Sequence, residues 1–140
     1  MINPTGRHET FIISAVIPAS PKDLFDAWLD GVQHGAMTQS SATATNEIAK
    51  IFTAHDGYIN EINLELEDGE RILQTLRTSQ FEVSEPESSV EVTLEQVEVG
   101  TKLILRNWNI PDDQADGYKT GWQDFYFTLM IEYFSDGALE

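Results

Sequence analysis

The chain is 140 residues long, and its 24 acidic side chains against 8 basic ones give a formal net charge of −16 at pH 7. Such a charge offers no counterion-releasing surface to phosphate backbones or anionic lipid headgroups, so nucleic acid is excluded as an expected partner and basic proteins or small neutral molecules fit better. Hydrophobic residues at 41% and aromatic ones at 10% supply one core, and the lack of cysteine excludes disulfides, thiolate metal sites and a cysteine nucleophile.

Met1 to His8 lack the apolar stretch of a signal peptide, and no apolar run approaches the ~20 residues of a membrane span. A single cytoplasmic domain is therefore expected, with a core over about residues 9–134 and flexible ends. Glu9 to Pro18 reads as the first strand, because Phe11, Ile12, Ile13, Val16 and Ile17 are aromatic or β-branched and a proline ends the run. Ser20-Pro21-Lys22-Asp23 predicts a helix start: a capping hydroxyl, a proline suited to the first position and an acid at the positive end of the dipole. Leu24, Phe25 and Trp28 then form an apolar stripe that Asp30-Gly31 terminates. From Val32 to Asn46 periodicity is weak and at most a helical turn over Gln33–Ala36 is expected.

Asp56-Gly57, Asp68-Gly69 and Val99-Gly100 mark three hairpin turns between strand-like runs, which implies antiparallel pairing. Alternation places Tyr58, Asn60, Ile62, Leu64 and Leu66 on a dry face and Ile59, Glu61, Asn63, Glu65 and Glu67 on a wet one. Ile72, Gln74, Leu76 and Thr78 continue the dry face, followed by Val90, Val92 and Leu94 and then Leu103, Leu105 and Asn107. Ser79 to Ser89, with Glu82, Glu85, Pro86 and Glu87, reads as a loop. Pro111-Asp112-Asp113 opens the last helix, whose stripe of Tyr118, Trp122, Phe125, Leu129 and Tyr133 runs to Phe134. About 35 Å long at 1.5 Å per residue, it must cross the whole sheet, and Gly121 within it predicts close packing or a bend. One apolar sheet face and one apolar helix stripe assemble most simply as a curved sheet gripping the helix, an α+β fold that leaves a cavity where the curvatures do not match.

Ala54-His55-Asp56-Gly57-Tyr58, Asn63-Leu64-Glu65-Leu66, Arg71-Ile72-Leu73-Gln74 and Arg77-Thr78 resemble the family of activators of the ninety-kilodalton heat-shock ATPase, within the START-like, helix-grip superfamily. Gly100-Thr101-Lys102-Leu103, the Asn107 to Pro111 turn, Gly117-Tyr118 and Gly121-Trp122-Gln123-Asp124-Phe125-Tyr126-Phe127 carry the resemblance through the second half. It implies a β-α-α-strands-α order, including the second short helix that periodicity barely shows. It also implies either a carrier of small apolar molecules or a module that binds and stimulates the heat-shock ATPase, the ATPase belonging to the partner.

The aromatic residues Phe25, Trp28, Tyr58, Tyr118, Trp122, Phe125 and Tyr126, with Trp108, are the candidates for walls of an apolar cavity, and Ile62, Leu76 and Leu105 share its face. Asn60, Gln74 and Asn107 land on the inward side, where an unpartnered amide costs about 1 to 3 kcal/mol and so points to water or a polar ligand group inside. His8, His34 and His55 read as surface histidines with no metal-ligand spacing, and Glu61, Glu65, Glu67, Glu85 and Glu87 as solvated acids. Ser40 and Ser41 lack a nucleophile-elbow context, no glycine loop cradles a phosphate, and no cofactor or metal is expected. The leading expectation is a non-enzymatic domain that holds a small hydrophobic or amphipathic ligand between sheet and helix. The alternatives are a co-chaperone-like module and, third, a cyclase or hydrolase, which requires an inward acid or histidine with a perturbed pKa.

Overall fold

Six strands in antiparallel register organise the chain. In the computed structural model, which describes residues 9–138, β1 (Glu9–Ile17) leads into α1 (Pro21–Trp28) and α2 (Gly31–Thr38), then β2 (Ile51–Ala54), β3 (Ile59–Glu67), β4 (Arg71–Thr78), β5 (Ser88–Val97) and β6 (Gly100–Ile110). The final helix comprises α3 (Ala115–Trp122), a π-turn (Gln123–Phe127) and α4 (Thr128–Ala138). Strand order is β1-β6-β5-β4-β3-β2. The curved sheet wraps the final helix, which is the α+β helix-grip arrangement expected. His8 lies outside the described residues.

The local signals act as the residues suggest. Ser20 Oγ accepts from the Asp23 N–H at 3.1 Å and Pro21 occupies the first turn of α1, which buries Leu24, Phe25, Ala27 and Trp28. Asp30 Oδ2 accepts from the Gln33 N–H at 2.9 Å and so opens α2. That helix is a full element rather than a single turn over Gln33–Ala36. Packing supplies what its pattern lacks: it buries His34, Met37 and Thr38, and a Cβ at Gly35 would sit 2.8 Å from the Ser40 carbonyl oxygen, so glycine lets the following loop fold back across it.

Inward positions on β4, β5 and β6 follow the expected register, with Ile72, Gln74, Leu76 and Thr78, then Val90, Val92 and Leu94, then Leu103, Leu105 and Asn107 all buried. The first half of β3 is reversed. Ile59, Glu61 and Asn63 are buried, whereas Asn60 and Ile62 are only half-buried and Leu64 is exposed. A bulge explains the difference: Asn63 pairs with Gln74 but Glu65 pairs with Leu73, so Leu64 is an extra residue and the alternation changes phase there. Leu66, beyond the bulge, packs on the core as expected.

The final helix begins at Ala115, not at Pro111, and its buried stripe is Trp122, Tyr126, Phe127 and Met130, while Phe125 is 57% exposed. The phase again turns on one surplus residue. In the π-turn the Gln123 carbonyl accepts the Thr128 N–H, and the Thr128 hydroxyl donates to the same oxygen at 2.9 Å. An even α-helical spacing carries the stripe to Phe125 and Leu129; the wider turn carries it to Tyr126 and Met130. Trp108 faces the outer side of the sheet, with the Arg106 guanidinium 4.3 Å above its ring.

The β5–β6 turn is pressed against the end of β1. Gly100 has φ +145°, and a Cβ there would lie 2.2 Å from the Ile17 carbonyl oxygen. Backbone cannot give way as a side chain can, so Gly100→Ala is expected to lower unfolding stability by about 2 to 4 kcal/mol, read as a reduced midpoint in urea with an unchanged slope.

Candidate functional site

Two indoles and a phenol form the seam between helix and sheet. Trp28 stacks on Trp122 at 5.9 Å between centroids, and Tyr126 leans on both, at 5.2 Å and 4.6 Å. His34 meets Tyr126 edge-on at 5.3 Å. It is fully buried, a correction to its expected place on the surface. Its Nδ1 lies 2.7 Å from the Trp28 carbonyl and its Nε2 2.6 Å from the Tyr126 hydroxyl. A carbonyl only accepts, so Nδ1 carries the proton, and Nε2 of the neutral ring accepts a hydrogen bond from the Tyr126 hydroxyl. Burial holds His34 neutral, with its pKa lowered to about 4. Tyr126 is shifted well above the phenol range, chiefly by burial.

The inward amides are satisfied within the protein. Trp28 Nε1 donates to Gln74 Oε1 at 3.3 Å, Gln74 Nε2 to Asn63 Oδ1 at 2.8 Å, and Asn63 Nδ2 to the Thr45 and Glu47 carbonyls at 2.7 and 3.1 Å. Trp122 Nε1 donates to Asn107 Oδ1 at 3.5 Å, and Asn107 Nδ2 to the Ser89 carbonyl at 2.7 Å. Gln74 and Asn107 therefore hold tryptophan N–H groups rather than water or ligand, and Asn60 lies on the other face of β3. This corrects the reading of three amides converging on one polar spot.

Beside this seam lies a half-open cavity of about 440 Å³. The sheet contributes Ile59, Leu76 and Thr78, the turn before β3 contributes Tyr58, and the helix contributes Gly117, Tyr118, Gly121, Trp122, Phe125 and Tyr126. Ser40 and His55 complete it from the loops. Gly117 and Gly121 are one helical turn apart, and a Cβ on either would find nothing within 4 Å, so the missing side chains are part of the volume. At the rim, the Tyr118 hydroxyl bonds Thr78 Oγ1 and Gln114 Oε1. Burial raises the Tyr118 phenol to about 12.

His55 stands in the β2–β3 turn as expected, but its ring packs inward, 6.0 Å from Phe125 and 5.2 Å from Tyr126. Partial burial lowers its pKa. His55 and Asp56 both adopt left-handed backbone, with φ of 49° and 56°. Asp56 offsets part of that strain by clasping the opposite loop: its Oδ1 accepts the Ser41 N–H at 2.8 Å, and its own N–H donates to the Ser41 carbonyl at 3.0 Å.

Glu61 is the largest departure from expectation. It is 1% exposed on the inner face of β3, where it pairs with Leu76, and its Oε2 has no hydrogen-bond partner among the described residues. The outward assignment fails because the β3 bulge inverts the register. Burial raises its carboxyl to about 8.

Six of the thirteen candidate wall residues therefore line the cavity: Tyr58, Leu76, Tyr118, Trp122, Phe125 and Tyr126. Phe25, Trp28, Gln74, Leu105 and Asn107 lie in the packed core, and Asn60 and Ile62 on the outer side of β3. Sequence reasoning missed Ser40, His55, Ile59, Gly117 and Gly121 as lining residues. The two glycines at a helical spacing were the available signal for the helix side; nothing local marked His55 or Ser40.

A curved antiparallel sheet closed over a long helix, with an aromatic hollow between them, defines a helix-grip domain. Residues 18–135 match the family described as activator of Hsp90 ATPase homolog 1-like protein, and the chain belongs to that family. An activator of 90 kDa heat shock protein ATPase homolog from Dictyostelium discoideum is 28% identical over 121 residues, covering 86% of this chain and 31% of the relative, so the chain spans about a third of that relative's length. The crystal structure of an HSP90 activator from Plasmodium falciparum superposes with TM-score 0.79 at 22% identity, covering 89% of this chain and 95% of that one. The solution structure of the Aha1 dimer from Colwellia psychrerythraea gives TM-score 0.74 at 15% identity, covering 87% and 93%.

The buried acid and histidine set a pH profile. Glu61 is raised from 4.5 to about 8 on folding, so its protonated form favours the folded state and stability is lost as pH rises between those values. His34 is lowered from 6.5 to about 4, so stability is lost as pH falls between those values. His55, also lowered, acts with His34. Thermal unfolding is expected to show a midpoint that declines from about pH 6.5 to 8, with Glu61→Gln flattening that limb alone.

Proposed function

We propose that this domain binds a small amphipathic or apolar molecule in the hollow between sheet and final helix. The observation that carries this reading is the cavity of about 440 Å³ walled by aromatic rings beside a fully packed core. Its size falls within the usual range for small-molecule sites. Gly117 and Gly121 support the reading, because each costs about 1 kcal/mol of helix propensity relative to alanine while contributing space and no packing. A panel of lipids and aromatic compounds should contain a binder that raises the unfolding midpoint, a ligand at 100 times its dissociation constant contributing about 2.7 kcal/mol. Gly121→Leu projects a side chain into the open space; the variant is expected to fold at least as stably as the parent and to lose the ligand-induced shift. A panel with no binder, or a shift retained in Gly121→Leu, counts against the cavity.

The family match favours a second reading, in which the outer surface engages a heat-shock ATPase. The charge of −16 supports it by steering a basic partner surface. Addition of the purified domain to its own organism's ninety-kilodalton chaperone is expected to raise ATP turnover in a salt-sensitive manner; unchanged turnover together with no co-sedimentation removes this reading.

A further inference from the structure

Behind the sheet-side wall of the cavity lies a group that the described fold leaves incompletely satisfied. Inward residues of β3 run Ile59, Glu61, Asn63, opposite Thr78, Leu76 and Gln74 of β4. Ile59, Thr78 and Leu76 line the cavity, whereas Asn63 and Gln74 belong to the closed amide network. Glu61 lies between the two in the register, buried directly behind the wall rather than lining it, and Tyr126, a wall residue, feels its charge. The other polar side chains buried on this face find partners: Thr78 in Tyr118, Ser88 in the Leu76 carbonyl, Asn107 in the Ser89 carbonyl. Glu61 Oε2 finds none, although an unpaired carboxyl is the costliest of these groups to bury.

We propose that Glu61 anchors the head group of the ligand and that this ligand is an amphipathic organic amine, its ammonium paired with the Glu61 carboxylate and its apolar body lying among the aromatic walls. This rests on the ligand-binding reading above and names the chemistry that such a site selects. Three features favour a cation over an anion or a neutral chain. Among the described residues no lysine or arginine lines the cavity, so a fatty acid brings its carboxylate toward Glu61 with no counter-charge from them. Trp122, Tyr126 and Tyr58 put aromatic rings in the wall, and the face of such a ring attracts an ammonium group. The overall charge of −16 concentrates cations near the mouth.

Pairing has a proton balance. At pH 7 the carboxyl of the empty domain is held protonated by its burial. When the ammonium seats, the carboxyl O–H bond breaks, the proton leaves to buffer, and the carboxylate and ammonium remain as a neutral pair. The titratable groups lining the cavity are His55 and Tyr58 from the β2–β3 turn, Tyr118 from α3 and Tyr126 from the π-turn, with His34 of α2 buried behind Tyr126. The two histidines titrate below neutrality, and Tyr118 and Tyr126 above the carboxyl.

Isothermal titration calorimetry of the full chain with octylamine, octanol and octanoate at pH 7, in two buffers of different ionisation enthalpy, tests the proposal. The amine is expected to bind at least about ten-fold tighter than the alcohol, as a charge-assisted hydrogen bond implies, with octanoate weakest and about one proton released per amine. Glu61→Gln should abolish the proton release and bring the amine to the alcohol's affinity. Equal affinities for amine and alcohol, or tight amine binding with no proton released, overturn the anchor while the cavity reading stands. Silence from all three overturns both. If Glu61→Gln fails to fold, the wild-type series and its proton count decide the matter alone.

Discussion

Two indole N–H groups buried between helix and sheet set the terms for the rest of the structure. A polar group taken out of water must find a partner, and both tryptophans find theirs on the concave face of the sheet. Trp28 reaches Gln74, and through it Asn63 and the carbonyls of the loop before β2. Trp122 reaches Asn107, which is tied to β5. One chain of donors locks α1 to β4 and β3; the other locks the final helix to β6. His34 joins them by holding the Trp28 carbonyl with one nitrogen and the Tyr126 hydroxyl with the other. The amides placed inward in an otherwise apolar surface are thus structural counterparts of the rings, not a ligand cradle.

Once those bonds are made, the space on the far side of Trp122 and Tyr126 has no remaining claimant. Two helical glycines remove side chains from that side, and the β2–β3 turn adds the rings of His55 and Tyr58 at its margin. Packing interiors are normally as dense as molecular crystals, so an unfilled volume next to a dense core reflects how residues are chosen along one helix face. Glu61 fits the same description from the sheet side: a charge-bearing group introduced where leucine or valine packs at lower cost.

The succession of strands and helices along the chain was legible because it depends on short-range chemistry. The Asp-Gly turns, the Ser20-Pro21 start and the alternation in β4 to β6 each act within a few residues, and each element they specify is present. What failed to read through were two insertions of a single residue. The bulge at Leu64 and the π-turn at Gln123–Phe127 each shift a periodic pattern by one place, and nothing in the local composition announces either. Two of the cavity's lining residues, Ile59 and Tyr126, owe their inward places to those shifts. The first turns Ile59 and Glu61 inward and Asn60 outward; the second replaces Phe125 with Tyr126 at the seam. His34 was misread for a different reason: beyond its Asp30 cap, its weak helix is held by tertiary contacts, so periodicity carries no trace of its burial.

Because the π-turn absorbs that surplus residue, the helix answers to different neighbours on its two sides. Upstream, Gly117, Tyr118 and Gly121 face the hollow and carry little of the packing. Downstream, Phe127 and Met130 are sealed into the core. The upstream half can change its shape and polarity while the downstream half keeps the sheet closed, so the architecture separates the capacity to discriminate among guests from the capacity to stay folded.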